Sequence, residues 1–103
     1  MVNLSVLYPH KDGARFDMDY YLTKHMPLVR ERCGAAMKSM SVEQGLAGVA
    51  PNSPPAFVTV THLGFDSVAE LQSVLGAHAG ELMADVPNFT NIEPTLQVSE
   101  VRM

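Results

Sequence analysis

Tryptophan is missing, cysteine occurs once, and only 17% of the 103 residues are charged. Each scarcity excludes something. Cys33 alone cannot form an intrachain disulfide, so the fold must rest on its apolar core, and a reducing compartment is the default. Seven Lys and Arg against eleven Asp and Glu leave a formal charge of −4. No cationic cluster or stripe is present to neutralise phosphates, which argues against nucleic acid as a partner. No run of about 18 apolar residues could span a bilayer, and the opening MVNLSVLYPHKDG lacks the basic flank and continuous apolar run of a secretion signal. The expected location is the cytoplasm, with no membrane partner.

Chemical signatures are equally sparse. The four histidines, His10, His25, His62 and His78, are not spaced His-x-His, His-x-x-x-His or His-Glu-x-x-His, so no metal site is expected. No Gly-rich loop leads from a strand into a helix to hold phosphates, and no Ser-His-Asp arrangement is visible, so no cofactor is expected. What the chain has in quantity is apolar residues, 47% of the total, with seven methionines. That content is high for so small a surface and points to a partner. Polarizable thioethers suit a plain core or an adaptable apolar cavity.

The stretch from Phe16 to Gly34, FDMDYYLTKHMPLVRERCG, reads as an amphipathic helix. At 100° per residue, Met18, Leu22, Met26, Val29 and Cys33 fall within an arc of about 80° and form a core-facing stripe. Asp17 is placed to cap the first turn, Phe16 and Tyr21 stand at hydrophobic-staple spacing, and Gly34 is a C-terminal stop. Pro27 is the discord, since inside a helix it removes a donor and crowds the carbonyl of Thr23. Either the helix breaks near His25 and restarts with Pro27 in its first turn, or it continues with a kink. His25 projects to the border of the apolar stripe, one turn from Tyr21. Two roles fit it there: a packed histidine bonded to a tyrosine or a backbone carbonyl, or an acid/base group.

Around this helix the chain reads in order. Val2 to Tyr8 alternates as a half-buried strand ended by Pro9, and Met37 to Leu46 alternates again. Gly48 to Pro55 is a loop by composition. Phe57 to Phe65 is a strand rich in β-branched and aromatic residues, with His62 on the face of Val58 and Val60. Ser67 and Glu70 form a capping box for a second helix, in which Gly76 and Gly80 allow a break between about residues 78 and 81. Pro87 ends it, and Glu93 to Arg102 forms a last strand. The order β-α-β-β-α-β is that of an α+β, ferredoxin-like domain over residues 1–103, a four-stranded antiparallel sheet with two helices on one face. The other face carries Asn, Ser, Thr and Gln among apolar residues, and a symmetric homodimer of two facing sheets would cover it.

Three segments carry a family likeness: Tyr8-Pro9, the helix motif Phe16-Asp-x-Asp-Tyr-Tyr-Leu-x-Lys-His25-Met-Pro27-Leu-Val, and Asp85-Val-Pro-Asn-Phe-Thr-Asn91. Together they resemble the EthD family, named for ethyl tert-butyl ether degradation, within the dimeric α/β-barrel superfamily. The resemblance covers nearly the whole chain. It implies a homodimer whose sheets close into a barrel, and a ligand cleft between sheet and helices. It also implies relatives that include cofactor-independent monooxygenases, isomerases and dehydratases. The motif histidine falls on His25, the aromatic pair on Tyr20 and Tyr21, and the late segment contributes Asp85 and Phe89. The expected catalytic set is His25 with Tyr21 or Tyr20, and His62 if its face looks toward the helices. Tyr8, Met18, Leu22, Val29, Asp85 and Phe89 are expected to line a site for a small apolar or aromatic molecule. Three functions stay open: a cofactor-free enzyme acting on a carbonyl or quinonoid compound, a non-catalytic binding or accessory protein, and a purely structural dimer.

Overall fold

In the computed structural model, which describes residues 1–103, strand β1 (Val2–Pro9) lies inside the sheet, flanked on both sides. Strand β2 spans Met37–Gln44, β3 Phe57–Phe65 and β4 Thr95–Glu100. The order is β2-β3-β1-β4, every pairing antiparallel. β2 ends two residues before Leu46, which is exposed, and β4 is shorter than the alternation of Glu93 to Arg102 suggests.

Register decides which residues face the helices. Leu4 lies opposite Leu63 and Val98, Val6 opposite Thr61 and Leu96, and Tyr8 opposite Thr59. These rows lead to the core, where Tyr8, Thr59, Thr61, Leu63 and Phe65 are buried. The intervening row, Ser41, His62, Ser5 and Gln97, occupies the outer face. This corrects the expectation for His62. Alternation shows which residues share a face without showing where that face looks, and β-branched residues line both sides of β3.

The first helix, α1, covers residues 18–33 in three parts: an α-helical turn Met18–Tyr20, a π-helical turn Tyr21–His25, and an α-helical segment Met26–Cys33. The Asp17 carboxylate accepts the amide of Tyr20 at 3.0 Å, the Phe16 and Tyr21 rings meet with centroids 5.0 Å apart, and Gly34 closes the helix at φ +59°. At Pro27 the structure draws on both expectations. The backbone stays helical through His25 and Met26, but it widens so that the Met26 amide reaches the Tyr21 carbonyl five residues back, and Pro27 sits in the first turn of the segment that follows.

A π turn holds one more residue than an α turn, so it resets the phase of everything before it. Tyr21 therefore occupies the core-facing phase that an unbroken α-helix would give Leu22. Tyr21 is buried and Leu22 is 48% exposed, which corrects its place in the apolar stripe. Met18 is half-buried and packs against the edge of the core.

The second helix, α2 (Val68–Ala84), is capped by the Ser67 hydroxyl, which accepts the Glu70 amide at 3.2 Å. It runs without interruption through Gly76 and Gly80, so the anticipated break is absent. A 3-10 turn, Val86–Asn88, follows and turns the chain back toward the start of α1, where the Asp17 amide donates to the Phe89 carbonyl. No helix is long and apolar enough to cross a membrane.

Candidate functional site

The π turn and the 3-10 turn converge on one polar knot. His25 Nδ1 lies 2.9 Å from Asp85 Oδ2, while the Tyr20 hydroxyl and the Asn88 side-chain amide donate to Asp85 Oδ1 at 2.7 and 2.9 Å. Partial burial of Asp85 works against its charge. The hydrogen bonds from Asn88, Tyr20 and His25 outweigh it and hold the carboxyl below its ordinary range. An ionised carboxylate only accepts, so Nδ1 carries the proton of the bond and Nε2 of the neutral ring is left as an acceptor. Its own hydrogen bond to Asp85 raises the Tyr20 phenol.

His25 is only 6% exposed and is held between rings. It stacks on Tyr21 at 5.4 Å and 17°, and Phe89 tilts against it at 4.7 Å. Phe89 also packs on Tyr8, Phe16 and Tyr21. Its role is to wedge the helix motif and the late segment into a fixed relation.

Beyond the imidazole lies a cavity of about 100 Å³ between the sheet and both helices. Leu4, Val6, Tyr8 and Thr61 form its floor, Tyr21, His25, Met26, Val29 and Cys33 one wall, and Leu75, Ala79 and Leu82 the other. Met83 and Leu96, both large and exposed, stand at its rim. Fourteen of its sixteen lining residues are hydrophobic. The polar exceptions are His25 and Thr61, and the Tyr8 and Tyr21 phenols add their hydroxyls. Tyr21 and Thr61 share a 2.6 Å hydrogen bond. Burial pushes the Tyr21 phenol up, and burial together with the adjacent Tyr21 pushes Tyr8 further still. Burial also raises the Cys33 thiol.

Of the expected site residues, Tyr8, Tyr21, His25 and Val29 line the cavity, and Tyr20, Asp85 and Phe89 stand directly behind His25. Met18 and Leu22 do not reach it, and Leu22 borders a separate surface groove with Pro27 and Arg30. His62 is on the wrong side of the sheet, where its Nδ1 lies 3.0 Å from the Ser5 hydroxyl. Thr61 and Asn88 were not anticipated. Asn88 could have been found as the fourth residue of the turn opened by Asp85; Thr61 had no local signal. No group of three or more His, Cys, Asp or Glu side chains is gathered to hold a metal.

Fold and site together define a ferredoxin-like α+β domain with a small apolar cavity entered by one histidine. The chain belongs to the EthD family, whose domain model matches residues 13–93. An EthD-like protein from Ralstonia eutropha JMP134 is 42% identical over 99% of this chain and 92% of its own, with a TM-score of 0.94. An ethyl tert-butyl ether degradation (EthD) family protein from Bacillus halodurans C-125 shares the fold at 23% identity, a TM-score of 0.75 and 99% of each chain. An antibiotic biosynthesis monooxygenase shares it more loosely, at 13% identity and a TM-score of 0.52 over the whole of both chains. No curated protein matches the chain.

Proposed function

We propose that this EthD domain is a cofactor-independent enzyme that moves a proton on a small carbonyl-bearing or quinonoid molecule, with His25 as the acid/base group. One observation carries the reading: an imidazole whose Nδ1 is held by the Asp85 carboxylate is one of the two polar residues lining an apolar cavity. Asp85 would stabilise the imidazolium formed when Nε2 takes a proton, and Tyr20 and Asn88 hold Asp85 in place. The working unit in this reading is a homodimer formed through the outer sheet face, where Leu7, Val58 and Val60 are half-buried beside Ser5 and His62.

The test is hydrogen exchange at carbon. Incubated with small enolisable ketones in heavy water, the wild-type protein is expected to introduce deuterium beside the carbonyl at least about 100-fold faster than His25→Ala, with the variant's fold checked by circular dichroism. Equal rates from a folded variant would remove His25 from the chemistry. The nearly complete apolar lining also suits a binding or accessory role, and ligand affinity without exchange would favour it.

A further inference from the structure

We infer that the hydroxyls of Tyr8, Tyr21 and Thr61 form one chain along the cavity with a hydrogen to spare, and that the ligand class it takes is a small ketone with a single oxygen inside the cavity. The inference deepens the acid/base reading, on which its catalytic meaning rests, but it is carried by different atoms.

All three residues line the cavity, and each is 1% exposed. They come from three elements, Tyr8 from β1, Thr61 from β3 and Tyr21 from the π turn of α1. Tyr21 stands in the middle, sharing one hydrogen bond with Thr61 at 2.6 Å and another with Tyr8. Each hydroxyl owns one hydrogen. Three hydrogens therefore serve two bonds, and one is left over in whichever direction the bonds run. No neighbouring group takes it up. The hydrogen bond of His25 goes to Asp85, and Thr59 Oγ1, on the residue opposite Tyr8 in the sheet, has no partner. Burial keeps both phenols protonated, so the surplus persists through the neutral and mildly alkaline range. A buried donor without an acceptor is costly, and the space shared by these three hydroxyls is the cavity.

Whatever satisfies the spare hydrogen must bring an acceptor. One hydrogen serves one oxygen, and apart from the chain itself His25 is the only polar residue of the lining. A second carbonyl within the cavity, as in a quinone, would lose its hydration against hydrocarbon. This favours a ketone with one oxygen over the quinonoid alternative. In the exchange reaction the step balances without any oxidant. His25 takes a proton from the carbon next to the carbonyl, that C–H pair becomes the C=C bond, and the C=O π pair moves to the oxygen. The enolate oxygen accepts the spare hydrogen bond until the proton is returned.

Cyclopentanone and methylenecyclopentane have nearly the same shape and differ by C=O against C=CH2. Their affinities for the full-length protein, read by NMR titration, give a ketone-to-hydrocarbon ratio in which the hydrophobic contribution of the ring cancels between protein variants. Tyr8→Phe/Tyr21→Phe/Thr61→Val removes every hydroxyl of the chain and is expected to lower that ratio about tenfold. Removing one end, by Tyr8→Phe or Thr61→Val, leaves two hydroxyls and one bond, so a hydrogen is still spare and most of the ratio should remain. A second readout needs no variant: the C=O stretch of cyclopentanone bound to wild type is expected at lower frequency than in cyclohexane. An unchanged ratio in the triple variant, an unshifted C=O band, or no binding of the ketone by wild type would each overturn the inference. Complete loss of the ratio in a single end variant would place the donor on one fixed hydroxyl and overturn the shared surplus. Deuterium exchange reports separately: a ketone preference without exchange would sink the His25 chemistry and leave the chain standing, and exchange without a preference would do the reverse.

Discussion

Asp85 shows how much one carboxylate can decide. Its Oδ1 accepts two donors and its Oδ2 accepts a third. Asn at this position could keep Oδ1 for Tyr20 and Asn88, but its amide would then turn donors toward His25 Nδ1–H. The ring would have to adopt the other tautomer, placing N–H toward the cavity where an acceptor stood. Asp85→Asn is therefore expected to lower proton-transfer activity on the order of 1,000-fold or more while leaving the fold intact, measured by the same exchange assay. Stability carries a matching signature. A carboxyl held below its ordinary 3.8 in the fold stabilises the native state fully above that value and loses the contribution as pH falls through the lower folded value. The gap between wild type and Asp85→Asn in urea midpoint should narrow as the pH falls below the ordinary carboxyl value and the Asp85 carboxylate takes up its proton. Sequence reasoning named His25, Tyr20 and Asp85 through the EthD likeness of the two segments and missed Asn88. It could not pair His25 with Asp85, because sixty residues separate them and no local spacing encodes the contact.

At the scale of elements, the π turn is where expectation and structure part most instructively. Helical periodicity assumes 3.6 residues per turn, so a single wide turn shifts every earlier residue without leaving a trace in the apolar pattern. Leu22 and Tyr21 exchange roles for that reason alone. The proline was the only warning. Deleting the exposed Thr23 should convert the wide turn to a regular one and force Pro27 into a true helix interior, destabilising the protein by about 3 kcal/mol. Adding Pro27→Ala to the deletion should recover most of that loss, and urea denaturation of the single and double variants would show the non-additivity. Helix α2 offers the opposite case. Gly76 and Gly80 suggested a break, yet the helix is continuous and open space surrounds a Cβ added at either position. Gly80→Ala should raise stability by up to about 1 kcal/mol, seen as a higher thermal midpoint.

For the whole molecule, the alternation of polar and apolar residues and the turn residues were enough to order four strands and two helices. What they left ambiguous was the facing of β3, where Thr59 and Thr61 point to the core and Val58 and Val60 away. That reversal makes the outer face more apolar than its serines suggest. If two copies meet there, Val60→Lys should leave a folded monomer, detected as a halved mass in sedimentation equilibrium, since a charge at the centre of a buried face has no partner. Retention of the dimer would place the interface elsewhere.

The strand order carries one more consequence, for the time at which the cavity comes into being. β1 leads the chain and is joined on one side by β4, from its far end, while Leu96 of β4 supplies part of the rim. The His25 wall likewise waits for the segment around Asp85. Nothing resembling the cavity can exist on a ribosome-bound chain until these distant sequences emerge, so a molecule that fits it cannot assist early folding. A ligand that binds the finished protein would act late, by slowing its unfolding.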